Sequence, residues 1–316
     1  MRIRASAPGT LMLLGEHAVL HNYHALCAAI DQRITVTLIP RPDTSQISLH
    51  SNLGSLKFSS QDFIRPQEPF SYVMGALQEY KLSQGLEVHI QSEFSSQIGF
   101  GSSSAVTVAM IAALELLSFK TLNLRRVFFN SLKVLRKIQG AGSGTDLATA
   151  TYGGIVFYNP YPLIIEKLTQ VIPITAIYSG QKTPTREVIA YIEKQRTSNP
   201  EKYDDCFRKI NHIVEHAKTA IRTQDFGTLG ALINAHQILM EEMQLSTPAI
   251  DMILQATRSF NILGAKISGS GLGDCVITLG ELPADTFPQN SVQQGLGIKQ
   301  IPIKISPTGV VAERLI

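Results

Sequence analysis

Ile98-Gly99-Phe100-Gly101-Ser102-Ser103-Ser104-Ala105 is the stretch on which the rest of the chain depends. Its glycines at 99 and 101 let the backbone turn tightly and approach a ligand with no side chain in the way. Three hydroxyls follow at once, and then the apolar helical run Val106 to Leu117. A glycine-rich turn that opens a helix points unpaired N–H groups at one spot and adds the positive end of the helix dipole. Phosphate is the usual guest of such a cradle. A serine hydroxyl placed there can also ligate Mg²⁺, which prefers hard oxygen donors. The plainer alternative is an ordinary loop whose serine caps a helix. Neither standard glycine motif is present, since no lysine follows the last glycine and the spacing is not GxGxxG. Just upstream, Glu87 to Phe94 alternates apolar and polar residues as a half-buried strand does. The local order is therefore strand, glycine loop, helix.

A chain of 316 residues can bury a full core and is expected to form two domains. With 44% hydrophobic and 17% charged residues it is globular rather than disordered. The net charge of +3 is too mild for a nucleic-acid partner, and no basic stripe is interleaved with aromatics. Cys27, Cys206 and Cys275 are scattered without metal or disulfide spacing, which fits a reducing cytoplasm. The first residues lack the apolar core of a signal peptide, and no uncharged apolar run reaches the length of a membrane span. The expected protein is cytoplasmic, acts on a small molecule and has no membrane partner; a homodimer is compatible with it.

Around the loop, Met1 to Ala7 reads as an edge strand broken by Pro8-Gly9, and Thr10 to Leu14 as a second short strand. Gly15-Glu16-His17 follows. Glu16 is either a solvated turn carboxylate or a ligand for a metal or hydroxyl, with His17 as its hydrogen-bond partner. His21 and His24 lie nearby, but without Glu-x-x-His spacing on one helix face. Leu26 to Ile39 reads as a strand, Ile47 to His50 and Ser55 to Ser59 as a hairpin, and Phe70 to Leu82 as a helix ended by Gly85. Leu124 to Ile138 is another helix. Gly140-Ala141-Gly142-Ser143-Gly144-Thr145-Asp146 then surrounds one carboxylate with glycine. Asp146 is either a helix cap or a general base held out to a hydroxyl. Ile174 to Tyr178 is a strand leading to Ser179 to Arg186, a polar turn and helix start with two cations. From there to Phe260 the chain is mostly helical, and His236 falls on the buried stripe of one helix. Gly264 to Leu279 forms strand, turn and strand with four glycines in its first ten residues, more than a plain β-turn needs.

The order of these motifs resembles the superfamily of galactokinase, homoserine kinase, mevalonate kinase and phosphomevalonate kinase. The resemblance is carried by Pro8-Gly9-Thr10 with Gly15-Glu16-His17-Ala18-Val19, by Gly99 to Ala105, by Ser143-Gly144-Thr145-Asp146, and by Lys266 to Gly273. It runs nearly end to end. Gly-Glu-His-Ala-Val and Asn234 to Met240 look most like the mevalonate kinases, whereas Gly273-Asp274-Cys275 leans towards the phosphomevalonate kinases. The resemblance implies an α/β protein with a ribosomal-S5-like N-terminal domain over 1–168 and a ferredoxin-like C-terminal domain over 169–316. The site would lie in the cleft between them.

It further implies ATP and Mg²⁺ as cofactors. Gly99, Phe100, Gly101, Ser102, Ser103 and Ser104 would wrap the phosphates, and Ser103 would bind Mg²⁺. Asp146 would take or orient the proton of the acceptor hydroxyl. Glu16 and His17 would line the acceptor site near the metal, while Gly269, Ser270 and Gly271 would hold the acceptor and the transferred phosphoryl. Such parts suffice, because phosphoryl transfer rests on positioning and charge neutralisation. Two departures stand out. Thr10 occupies the place of a family lysine that pairs with the aspartate, and Leu135 that of a metal-binding glutamate. Lys182 and Arg186 are candidates for the missing cation, and Glu16 for the carboxylate; otherwise the acceptor differs from mevalonate, or the chain binds nucleotide without transfer.

Overall fold

Two sheets organise the chain, and the computed structural model describes all of it apart from residues 62–64, 81, 83, 285, 288–296 and 316. The strands are β1 (Arg2–Leu14), β2 (Ala25–Arg41), β3 (Gln46–Ser51), β4 (Gly54–Ser59), β5 (Gly85–Ser92), β6 (Ile155–Pro160), β7 (Leu163–Leu168), β8 (Ile174–Tyr178), β9 (Gly264–Ser268), β10 (Cys275–Leu279), β11 (Lys299–Ile301) and β12 (Val311–Leu315). The helices are α1 (Ser71–Glu79), α2 (Ser102–Phe119), α3 (Leu124–Gln139), α4 (Thr145–Tyr152), α5 (Thr185–Ser198), α6 (Pro200–Thr223), α7 (Phe226–Glu242) and α8 (Pro248–Thr257).

The first sheet runs β12-β1-β2-β5-β3-β4, with β6 and β7 branching from β2. Branching is possible because β2 is long. Its first residues pair with β6, from Ala25 opposite Tyr158, and its last pair with β5, from Ile34 opposite Ser92. The second sheet, β11-β8-β10-β9, has antiparallel neighbours throughout. Numbered along the chain, that is the 4-1-3-2 order of a ferredoxin-like sheet, with α5 to α8 filling the connection from β8 to β9. The two-layer α/β architecture is the one the motif order implied. A division at residue 168 falls between β7 and β8, but β12 returns to pair with β1, so 311–315 sit in the first sheet.

Two local expectations change. Arg2 to Leu14 is one strand, not two, and it is interior, flanked by β12 and β2. Pro8, which has no N–H to give, is tolerated because the register with β2 shifts between Pro8 and Thr10. Gly85 does not stop α1, which ends at Glu79; it opens β5, where a Cβ would stand 2.5 Å from the Gln46 carbonyl. Helix α2 is apolar and long enough by composition to cross a membrane, with mean hydropathy 1.6, but it carries a charged residue and 67% of it is buried inside the protein. Its one carboxylate, Glu115, is compensated by Arg126 Nε at 2.5 Å and the Tyr80 hydroxyl at 3.2 Å.

The two sheets are tied through charge. Lys266 on β9 is fully buried, and its Nζ donates to Glu16 Oε1 at 2.5 Å and to the Ile267 carbonyl. His236 on α7 accepts the Gly15 N–H at Nε2 over 3.1 Å, and that nitrogen lies 3.3 Å from Glu16 Oε2. Burial, with the Lys266 charge behind it, lowers the imidazole to about 3, so it is neutral and Lys266 alone balances Glu16. Burial by itself would raise the Glu16 carboxyl; the charge of Lys266 and its hydrogen bond outweigh it and hold it below its ordinary value. Ser268 Oγ adds a bond to the Met12 carbonyl at 2.8 Å. A buried pair is worth little over an apolar replacement, but a buried charge left alone is costly. Lys266→Met should therefore destabilise the protein by about 3–5 kcal/mol in urea unfolding, and Glu16→Gln added to it should restore most of the loss.

Candidate active site

The glycine loop is held from behind by β1. The Thr10 N–H donates to the Phe100 carbonyl at 3.0 Å, and the Phe100 ring, 1% exposed, tilts against Phe94 at 5.9 Å between centroids. Phe100, expected among the phosphate-binding residues, is thus an anchor in the core and does not line the cleft. Gly101 precedes α2 with φ 60, and no side chain caps the helix. The first-turn amides of Ser102, Ser103 and Ser104 consequently have no helical acceptor. Ser102 and Ser103 are half-buried at the cleft, while Ser104 is buried. A Cβ on Gly101 would stand 2.0 Å from Thr10 Oγ1, so only glycine lets strand and loop come this close.

Asp146 lies in the first turn of α4, after Gly144 at φ 90, and is not the cap of that helix. Its Oδ1 accepts from Thr10 Oγ1 at 2.7 Å, with Cys27 Sγ at 3.6 Å. Burial raises this carboxyl above its ordinary value; the Thr10 and then the Cys27 hydrogen bonds, which favour the ionised form, hold it back. The loop, Thr10 and Asp146 line one cleft, together with Lys182, Ser270 and Asp274. Where the family has a lysine, this chain offers a hydroxyl that orients the carboxylate but adds no charge.

Another part of the cleft, where the acceptor was expected, is built by the turn after β1 and the turn after β9. His17, buried with φ 60, places Nε2 2.8 Å from the Ser270 carbonyl. A carbonyl only accepts, so that nitrogen carries the proton. Burial lowers the His17 imidazole, keeping it neutral. Ser270 Oγ has no hydrogen-bond partner among the described residues. Gly269 lines the cleft; Gly271 is turned instead onto Leu245, where a Cβ would stand 2.7 Å from that residue's Cβ. Glu16, expected as a metal carboxylate, is committed to Lys266. Leu135 packs on Gly142 at the cleft wall and offers no oxygen in the place of the family glutamate. His21 stacks on Phe207 and His24 on Phe157, so they do not gather with His17. No group of three or more His, Cys, Asp or Glu among the described residues could hold a metal ion.

Of the two cations expected, Lys182 lines the cleft and reaches across to the loop, its Nζ donating to the Ser96 carbonyl at 2.6 Å. Arg186 is exposed in the first turn of α5 and does not line it. Sequence reasoning gave no role to Lys266, Cys27 or Asp274. Lys266 had a signal, since a lysine within an apolar strand needs a buried partner. Asp274, a carboxylate in a glycine-rich turn at φ 60, had a weaker one.

Comparison with known proteins agrees with this arrangement. The GHMP kinases N terminal domain matches residues 71–154, the GHMP kinases C terminal domain 217–292, and the galactokinase galactose-binding signature 2–40. The mevalonate kinase of Thermococcus sibiricus is 32% identical, over 88% of this chain and 89% of its own. The structure of the Methanococcus jannaschii mevalonate kinase superposes with a TM-score of 0.77 at 24% identity, covering 96% of this chain and 98% of its own. That of the Streptococcus pneumoniae phosphomevalonate kinase, in complex with phosphomevalonate and AMPPNP, also gives 0.77, at 19% identity over 96% and 99%. At those identities the two structures speak for the fold alone. With both terminal domains matched and a curated relative aligned over most of its length, the chain belongs to the GHMP kinase family and is an ATP-dependent small-molecule kinase.

Proposed function

We propose that this kinase transfers the γ-phosphoryl of ATP to the 5-hydroxyl of mevalonate. The observation that carries the proposal is Asp146, held by Thr10 at 2.7 Å beside an uncapped, glycine-opened helix N-terminus. The first-turn amides of α2 would hold the phosphates, with Ser103 as the hydroxyl on Mg²⁺. Mg²⁺ bound with the nucleotide would neutralise phosphate charge. Ser103, and the unpartnered Asp274 Oδ1 across the loop, are hard oxygen donors that suit such an ion. Asp146 accepts the proton of the attacking hydroxyl, and Thr10 fixes the carboxylate so that its basic oxygen faces that hydroxyl. Lys182 supplies the fixed positive charge that Thr10 cannot.

The lining of the cleft supports mevalonate over other acceptors of the family. Met12, Val19, Leu20, Leu135, Leu147 and Ile189 give it aliphatic walls suited to a short branched acid rather than a sugar. Glu16 falls within the galactose-binding signature, but its pairing with Lys266 removes it from sugar hydroxyls. Lys182 is the one lysine or arginine among the described lining residues. It suits an acceptor with a single carboxylate better than one with a phosphate of about two negative charges. Phosphomevalonate is the second reading, favoured by Gly273-Asp274-Cys275.

ATP consumption measured with mevalonate, phosphomevalonate, homoserine and galactose in parallel should be greatest with mevalonate; faster turnover of phosphomevalonate would promote the second reading. Asp146→Asn should lower kcat by about 10²–10⁴-fold while AMP-PNP affinity in calorimetry stays near that of the wild type. Thr10→Val removes a bond to the ionised carboxylate and so raises the Asp146 pKa further. Because the base must be ionised, the acidic limb of the kcat/KM profile should move to higher pH; a limb that stays in place would separate Thr10 from Asp146.

A further inference from the structure

Three carboxylates line the cleft among the described residues: Glu16, Asp146 and Asp274. The first is paired with Lys266 and the second is bonded by Thr10 and Cys27. Glu16 Oε2 also lacks a hydrogen bond, but the charge of Glu16 is balanced by Lys266 at its other oxygen; the third carboxylate has no such ion pair and is the one against the glycine loop. Asp274 is 5% exposed, and its Oδ1 has no hydrogen-bond partner among the described residues. It is also rigidly placed. Its N–H donates to the Gln181 carbonyl at 2.8 Å, its carbonyl accepts the Ser179 N–H at 2.9 Å, and the next residue's Cys275 Sγ donates to the Ile98 carbonyl at 3.0 Å. The carboxylate is pressed against the phosphate loop itself. A methyl on Gly99 would stand 3.0 Å from its Cγ and Oδ1, and one on Gly269 3.3 Å from its Oδ2. Its nearest cation, Lys182, is bonded to the Ser96 carbonyl.

A negative side chain beside a cradle built for anions opposes the ligand unless a cation lies between them. Mg²⁺ is such a cation: it binds through one or two carboxylates together with substrate phosphates and keeps several waters. The α3 position that could have offered a carboxylate is Leu135, and Glu16 is spoken for. We infer that Asp274 is the protein carboxylate that helps hold the divalent cation accompanying the nucleotide, working with Ser103 from the opposite side of the glycine loop. The inference rests on the nucleotide site proposed above. It assigns the metal carboxylate to the C-terminal domain, already in contact with the glycine loop.

The test is calorimetric titration of AMP-PNP into the wild-type protein, Asp274→Asn and Asp274→Gly, each with and without MgCl₂ at pH 8. The glycine variant guards against misfolding, because a residue at φ 60 accepts glycine without strain. Wild type should bind AMP-PNP at least about tenfold more tightly with Mg²⁺ than without. In both variants the metal-free affinity should rise, since a repulsive charge is gone, and most of the gain from Mg²⁺ should disappear. A full wild-type gain retained in both variants would overturn the assignment while leaving the nucleotide site intact. Wild-type protein that binds no AMP-PNP in either condition would instead bring down the nucleotide site and this inference with it.

Discussion

The approach of Thr10 to Gly101 is the contact on which the site depends. Strand β1 passes so close under the glycine loop that a single methyl group at 101 would overlap the threonine hydroxyl. From that one place the Thr10 N–H fixes the Phe100 carbonyl and its side chain fixes Asp146. Loop, strand and base are therefore set relative to one another by backbone and short side chains. Little rotamer freedom is left to be lost when a substrate arrives, which is how an enzyme built on positioning lowers its barrier.

Charge is the second constraint. Phosphoryl transfer gathers several negative charges in a small volume, and this cleft holds few positive side chains to meet them. Threonine at position 10 orients Asp146 without neutralising anything, and burial leaves that carboxyl more basic than an exposed aspartate. The helix N-terminus contributes partial charges, and Lys182 arrives from the second domain. In the function proposed above, ions brought with the nucleotide would supply the charge that this cleft lacks, which is why the unpaired carboxylate at the loop carries meaning.

The domains meet through buried polar groups. Lys266 and Glu16 lie at the base of the cleft, neutral His236 closes the pocket around them, and the strand that carries Lys266 leads straight into the turn that presents Ser270 to His17. The ion pair thus sets the register between the turn after β9 and the turn after β1. Its worth lies in specifying that geometry, since a buried pair adds little net stability over apolar packing.

Much of this was legible in the amino-acid sequence. Short-range patterns report local structure directly: glycines before a helical apolar run mark the loop, the glycine-flanked carboxylate marks Asp146, and alternation marks β5 and the β3–β4 hairpin. Motif order along the chain supplied the family, and with it the two-domain architecture. What the sequence could not convey is which groups meet across the cleft. Glu16 and Lys266 are paired although 250 positions separate them, and no local pattern encodes that distance. Likewise β12 has no strong signal of its own and becomes a strand because β1 offers it an open edge. The commitment of Glu16, the turning of Gly271 away from the cleft onto Leu245 and the unpaired carboxylate of Asp274 were decided by tertiary packing, because burial and pairing are properties of the assembled interior and not of any one segment.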